Sequence, residues 1–152
     1  MGSRRKRSRK RSAASSTVAR RLEQAVFYLD QSIYSRGLLA RMRELGAVVR
    51  HAGEAFPSAT RDEMWLAQCG ARGWIVLMRD QHVRRRPLEL AALRAAKVVV
   101  FVCTAGQATA EDTANAVSRL IHRFVNSAIS EPKPCLYTFG LKGTLTRIKM
   151  RR

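Results

Sequence analysis

The sequence predicts an α/β domain with a central, mostly parallel sheet and helices on both faces, on three observations. Short apolar runs rich in β-branched and aromatic residues recur along the chain, as buried strands do. Between them lie stretches whose apolar residues repeat at helical spacing. The two kinds of segment alternate, and strand–helix–strand repetition builds a parallel sheet with its crossover helices packed on it.

The elements follow in order. Met1 to about Thr17 is rich in Arg, Lys and Ser with almost nothing to bury, so residues 1–19 are expected to form a disordered basic arm and 20–152 the folded domain. Ala25–Asp30 (AVFYLD) is the first strand, ending on an acid. From Ser32 to Leu45 the residues Ile33, Leu38, Leu39, Met42 and Leu45 define a helix that Gly46 stops. Ala47–Arg50 is a short second strand, and Gly53–Thr60, with Pro57, is a loop. Thr60 and Glu63 have the spacing of a capping box for a helix ending at Gly73. Trp74–Met78 (WIVLM) is the clearest central strand. A basic turn, Gln81–Arg86, precedes a helix from Pro87 to Ala96 and the strand Val98–Cys103. Thr109–Ile129 reads as a long amphipathic helix, capped by Thr109 with Asp112, and Leu136–Ile148 as a hairpin around Lys142–Gly143.

Composition narrows the function. A net charge of +18 over 152 residues points to a polyanionic partner, with half of it carried by nine Lys or Arg residues before the first acid, Glu23. Three cysteines without a close pair, Cys69, Cys103 and Cys135, suggest neither a disulfide framework nor a zinc ribbon and fit a reducing cytosol. His51, His82 and His122 are scattered, which argues against a His/Cys zinc site. No stretch approaches the roughly 20 apolar residues that span a bilayer, so a cytoplasmic protein is expected.

In open α/β sheets the functional crevice lies beyond the carboxyl ends of the strands. That rule selects Asp30 after the first strand, Asp80 after WIVLM, Thr104 after VVVFVC, and the pair Asp62 and Glu63 opening the helix before the central strand. Carboxylates that converge repel one another unless a cation lies between them. Mg²⁺ or Mn²⁺ suits such oxygen ligands and can activate water for in-line attack on a phosphodiester.

These residues also carry a family resemblance. Asp30 in FYLD, the segment TRDEMWLAQCGARGWIVLMRD from Thr60 to Asp80, RRRP at Arg84–Pro87 and FVCT at Phe101–Thr104 resemble the PIN-like domain, within it the ribonuclease toxins of bacterial toxin–antitoxin pairs. The likeness runs from about Phe27 to Ile129. It implies a three-layer α/β/α domain that cuts RNA with Mg²⁺ or Mn²⁺ held by Asp30, Asp62 and Asp80, with Glu63 and Thr104 as weaker members of the catalytic set. An antitoxin protein and a homodimer are the further partners it implies. Two positions depart from the family pattern: an acid is common where Met64 stands, and Thr or Ser where Met78 stands. A nucleic-acid- or partner-binding protein that keeps the fold without catalysis is the alternative.

Simpler roles compete for several of these residues. Asp30 could cap the first helix, Asp80 could be a turn residue, and Glu63 is accounted for by its capping box. Asp112 is read as structural, with a fourth ligand position as its fallback, and Glu54 as an exposed loop acid. Arg84, Arg85 and Arg86, directly after Asp80, would meet substrate phosphates or else form a solvated charge run. Trp65 and Trp74 sit on apolar periodicities and are read as core.

Overall fold

The computed structural model describes residues 17–18, 20–82 and 87–150, without the side chains of 87–89. Among the described residues six strands form one sheet: β1 (Val26–Leu29), β2 (Val48–His51), β3 (Ile75–Arg79), β4 (Val99–Cys103), β5 (Cys135–Phe139) and β6 (Leu145–Ile148), in the order β2-β1-β3-β4-β5-β6. All neighbours are parallel except β5 and β6, which pair as the expected terminal hairpin. The helices are α1 (Arg36–Glu44), α2 (Ala52–Ala55), α3 (Asp62–Arg72), α4 (Pro87–Ala96) and α5 (Ala110–Ser130). Residues 20–24 are helical as well and bury Leu22.

Side chains alternate across the strands and so divide the core in two. Phe27, Leu29, Leu77, Phe101 and Phe139 pack against Leu38 and Met42 of α1 and Leu120, Ile121 and Phe124 of α5. Tyr28, Val76, Val100 and Leu136 face the other way, against Trp65, Leu66 and Cys69 of α3 and Leu93 of α4. The three-layer α/β/α arrangement is therefore as expected. The crossovers β3–α4–β4 and β4–α5–β5 step the same way across the sheet, yet α4 and α5 lie on opposite faces. The two crossovers thus have opposite hands, a rare departure from the right-handed rule.

Several boundaries moved for local reasons. The first helix starts at Arg36, not Ser32, because Ser35 is its cap and the carbonyl of Asp30 accepts from Ile33 and Tyr34 in a turn. The loop after β2 contains the short helix α2. The Thr60–Glu63 capping box does not form: Thr60 Oγ1 donates to the Pro57 carbonyl, and α3 begins at Asp62 behind Arg61, which offers no side-chain cap. The cap at Thr109 does form, its Oγ1 accepting from Asp112 N at 3.0 Å. Gly46 and Gly73 end their helices with positive φ, as expected of helix stops.

At Gly70, by contrast, the requirement is space. A β-carbon there would stand 2.0 Å from the Ala96 carbonyl oxygen, so the absent side chain lets α3 approach the end of α4. The three cysteines are buried and unbridged. Among the described residues no helix is long and apolar enough to cross a membrane. The expected disorder of the arm falls, apart from 17–18, on residues outside those described.

Candidate functional site

The strand order reverses between β1 and β3, because β1 leads outward to β2 on one side while β3 leads to β4 on the other. A crevice opens beyond the carboxyl ends of strands at such a switch point. Three of the selected residues stand side by side along that edge. Asp30 N donates to Leu77 O at 3.0 Å, Asp80 N to Cys103 O at 3.0 Å, and Thr104 N to Phe139 O at 3.1 Å. Each thereby extends its parallel ladder by one residue, which fixes an acid, an acid and a hydroxyl on three adjacent strands.

The register staggers them. Continuing the pairing of Leu29 with Leu77 sets Asp30 opposite Met78, while continuing that of Arg79 with Cys103 sets Asp80 opposite Thr104. Asp80 therefore lies two residues farther along than the neighbour of Asp30, about 6 to 7 Å at strand rise. Met78, one of the two departures noted in the sequence, stands opposite Asp30, and Arg79 lies between it and Asp80.

Asp30 and Asp62 do come together. Both line a cleft of about 340 Å³ whose walls include Tyr28, Phe56, Thr60 and Trp65. Asp62 is placed there by the first turn of α3, where the helix dipole also favours it. One oxygen of each carboxylate is held in place. Asp30 Oδ2 accepts from Ser32 N at 3.1 Å and from the Ser32 hydroxyl; Asp62 Oδ1 accepts the indole N–H of Trp65 at 2.9 Å. The other oxygen of each, Asp30 Oδ1 and Asp62 Oδ2, carries no hydrogen bond among the described residues. Burial, followed by electrostatic interaction with Asp30, Cys69 and Asp62, holds the Tyr28 phenol above its ordinary range.

The remaining candidates are less concentrated. Asp80 Oδ1 accepts from His82 N at 2.8 Å. Glu63 is exposed in the first turn of α3, and Met64 beside it is 57% exposed. Asp112 is an exposed first-turn acid of α5. Glu54 is not an isolated loop acid: it lies in α2, against Arg50 at 3.1 Å and His51 at 3.3 Å. Among the described residues no three His, Cys, Asp or Glu side chains gather closely enough to hold a metal. Arg84, Arg85 and Arg86 lie outside the described residues.

Two contributors escaped the sequence reading. The Ser32 hydroxyl donates to Asp30 and accepts Arg79 N at 3.0 Å, tying the end of β1 to the end of β3; the Asp-x-Ser spacing of an Asx turn was its signal. Arg79, next to Asp80, reaches the Ala108 carbonyl and the Thr113 hydroxyl, with its buried Nε unpartnered among the described residues. Its signal was a cation inside the strand-end run MRD. Trp65 is 6% exposed and is core as expected, but it also orients Asp62. Trp74 is half-buried beneath the Arg72 guanidinium, 4.8 Å from the ring centroid.

A two-carboxylate cleft with uncommitted oxygens fits a hard divalent cation, since Mg²⁺ is commonly held by one or two carboxylates together with water and substrate phosphate. The model of a family described as a PIN like domain matches residues 25–105, which include Asp30, Asp62, Asp80 and Thr104. No curated protein and no solved structure matches the chain.

Proposed function

The chain belongs to the PIN-like domain family, a nuclease superfamily, and on that premise we propose that it is an Mg²⁺- or Mn²⁺-dependent endoribonuclease. The observation that carries this reading is the pair Asp30 and Asp62 in one cleft at the topological switch point, each with one oxygen oriented and one uncommitted. Asp30 Oδ1 and Asp62 Oδ2 would hold the cation. When bound, such an ion activates water and stabilises charge on phosphoryl oxygens.

The protein's own groups supply the rest. Ser32 and Trp65 keep the two carboxylates aimed, the role that outer-shell donors play around metal ligands. Asp80 and Thr104, on the next two strand ends, orient the phosphate and the attacking water, and Glu63 assists from the rim. Arg84, Arg85 and Arg86 grip substrate phosphates beside Asp80 with guanidinium forks. In a cell this activity would be the toxin of a toxin–antitoxin pair, acting as a homodimer and silenced by an antitoxin protein over the cleft.

A second reading, RNA or partner binding without cleavage, is supported by the lack of a three-acid cluster among the described residues. Two measurements on the same preparations separate them. With Mn²⁺ present, wild type should cut mixed RNAs and melt at a higher temperature than without it, because a ligand of the folded state stabilises it. Asp30→Asn and Asp62→Asn should lose both effects while remaining folded. RNA that binds but stays intact, with no Mn²⁺ shift in melting, would establish the binding reading instead.

A further inference from the structure

The exposed side of α5 carries cations that the cleft does not use. Arg119 and Arg123, one turn apart, are both exposed. Arg41 of α1 crosses to α5 at its earlier turns, donating to Asn115 at 3.0 Å and Ser118 at 3.4 Å. Lys142 is exposed in the β5–β6 turn, which Arg123 touches through the Gly143 carbonyl at 3.4 Å. Arg21 reaches Asn126 at 3.4 Å, near the far end of the helix. From Asn115 to Asn126 these groups follow α5 for about 17 Å.

None of these five cations has a carboxylate within ion-pair distance among the described residues. The acids nearest them in sequence, Glu23, Glu44, Glu111 and Asp112, make no ion pair with these cations, and Glu131, past the last residue of α5, pairs with Arg147. From residue 113 to 150 the sequence has six Lys or Arg and one acid. A ridge of cations with no paired carboxylate repels itself, and it is complementary to a linear polyanion.

We propose that this α5 ridge, Arg41, Arg119, Arg123 and Lys142 with Arg21 at its end, is a binding surface for the sugar–phosphate backbone of RNA. Along the same helix, the side-chain amides of Asn115 and Asn126, whose oxygens accept from Arg41 and Arg21, keep N–H groups that suit phosphate and sugar oxygens, and His122 is exposed between them. Backbone contact alone carries no base specificity, so the ridge holds RNA of any sequence. The proposal rests on the nuclease reading only in taking RNA as the ligand; it does not require cleavage.

The test is RNA binding by the full chain at several salt concentrations with EDTA present, so that hydrolysis plays no part. Each phosphate contact contributes about 0.7 to the slope of log affinity against log salt for single strands, so Arg119→Ala/Arg123→Ala/Lys142→Ala should lower that slope by about 2. The loss should be the same for oligouridine and for mixed-sequence RNA. A slope unchanged in a variant with the wild-type circular dichroism overturns the proposal and would fit an acidic protein partner instead. A loss confined to one RNA sequence also overturns it. Absence of Mn²⁺-dependent cleavage, by contrast, would refute the nuclease reading and leave this slope untouched.

Discussion

Trp65 links the core to the cleft, since its ring packs against Tyr28 while its indole N–H holds Asp62. Trp65→Phe keeps most of the ring and removes the donor. Losing a group that orients a ligand typically lowers metal affinity 10- to 100-fold, and one hydrogen bond contributes about 1 kcal/mol. Mn²⁺ titration should therefore register a loss of at least tenfold, and urea unfolding a cost of about 1 kcal/mol; unchanged Mn²⁺ affinity would mean that Asp62 needs no such orientation. Cys69, two helical turns into α3, gives a pH prediction. Burial raises its thiol from 9.0 to about 12, only partly opposed by Arg72. The folded state thus keeps a proton that the unfolded chain releases. The stabilisation is complete below pH 9 and declines as pH rises from about 9 to about 12. Urea unfolding across that window should show falling stability, with a shallower fall in Cys69→Ala; equal pH slopes would contradict the assignment.

At the scale of elements, the contact between α3 and α4 depends on a missing side chain. Gly70→Ala would push a methyl into the Ala96 carbonyl, which is backbone and cannot swing aside. The substitution ought to favour a helix by propensity. Here overpacking should prevail and destabilise by about 1 to 3 kcal/mol, measured by urea unfolding; a stability gain would show that the helices sit farther apart. The caps of α3 and α5 illustrate how far local signals reach. Thr60 and Thr109 both precede acidic turns, but only Thr109 caps, because Thr60 is turned toward Pro57 by the loop that α2 and β2 impose.

For the whole molecule, the family match ends at residue 105 while the fold does not. α5 and β5 supply Leu120, Ile121, Phe124, Tyr137 and Phe139 to the larger core cluster, and all five residues of β5 are buried. A chain truncated after residue 105 would leave Phe101 and the whole α5-covered face of the sheet in water. It should lack a cooperative thermal transition by circular dichroism. Cooperative melting of that fragment would mean that the cleft half is an independent folding unit.

The order of strands and helices, and the strand-end positions of Asp30, Asp80 and Thr104, were legible in the sequence because periodicity and helix stops act over a few neighbouring residues. The opening of α3 was likewise enough to nominate Asp62. Which acids meet was decided only by the tertiary structure. Ladder register sets Asp30 opposite Met78 and Asp80 opposite Thr104, while packing of α3 brings Asp62 to Asp30 through Trp65. The hand of the last crossover and the cationic ridge are of the same kind. Each depends on segments distant in sequence being pressed together by burial of a shared core, and no short-range pattern encodes the offset at which they stop.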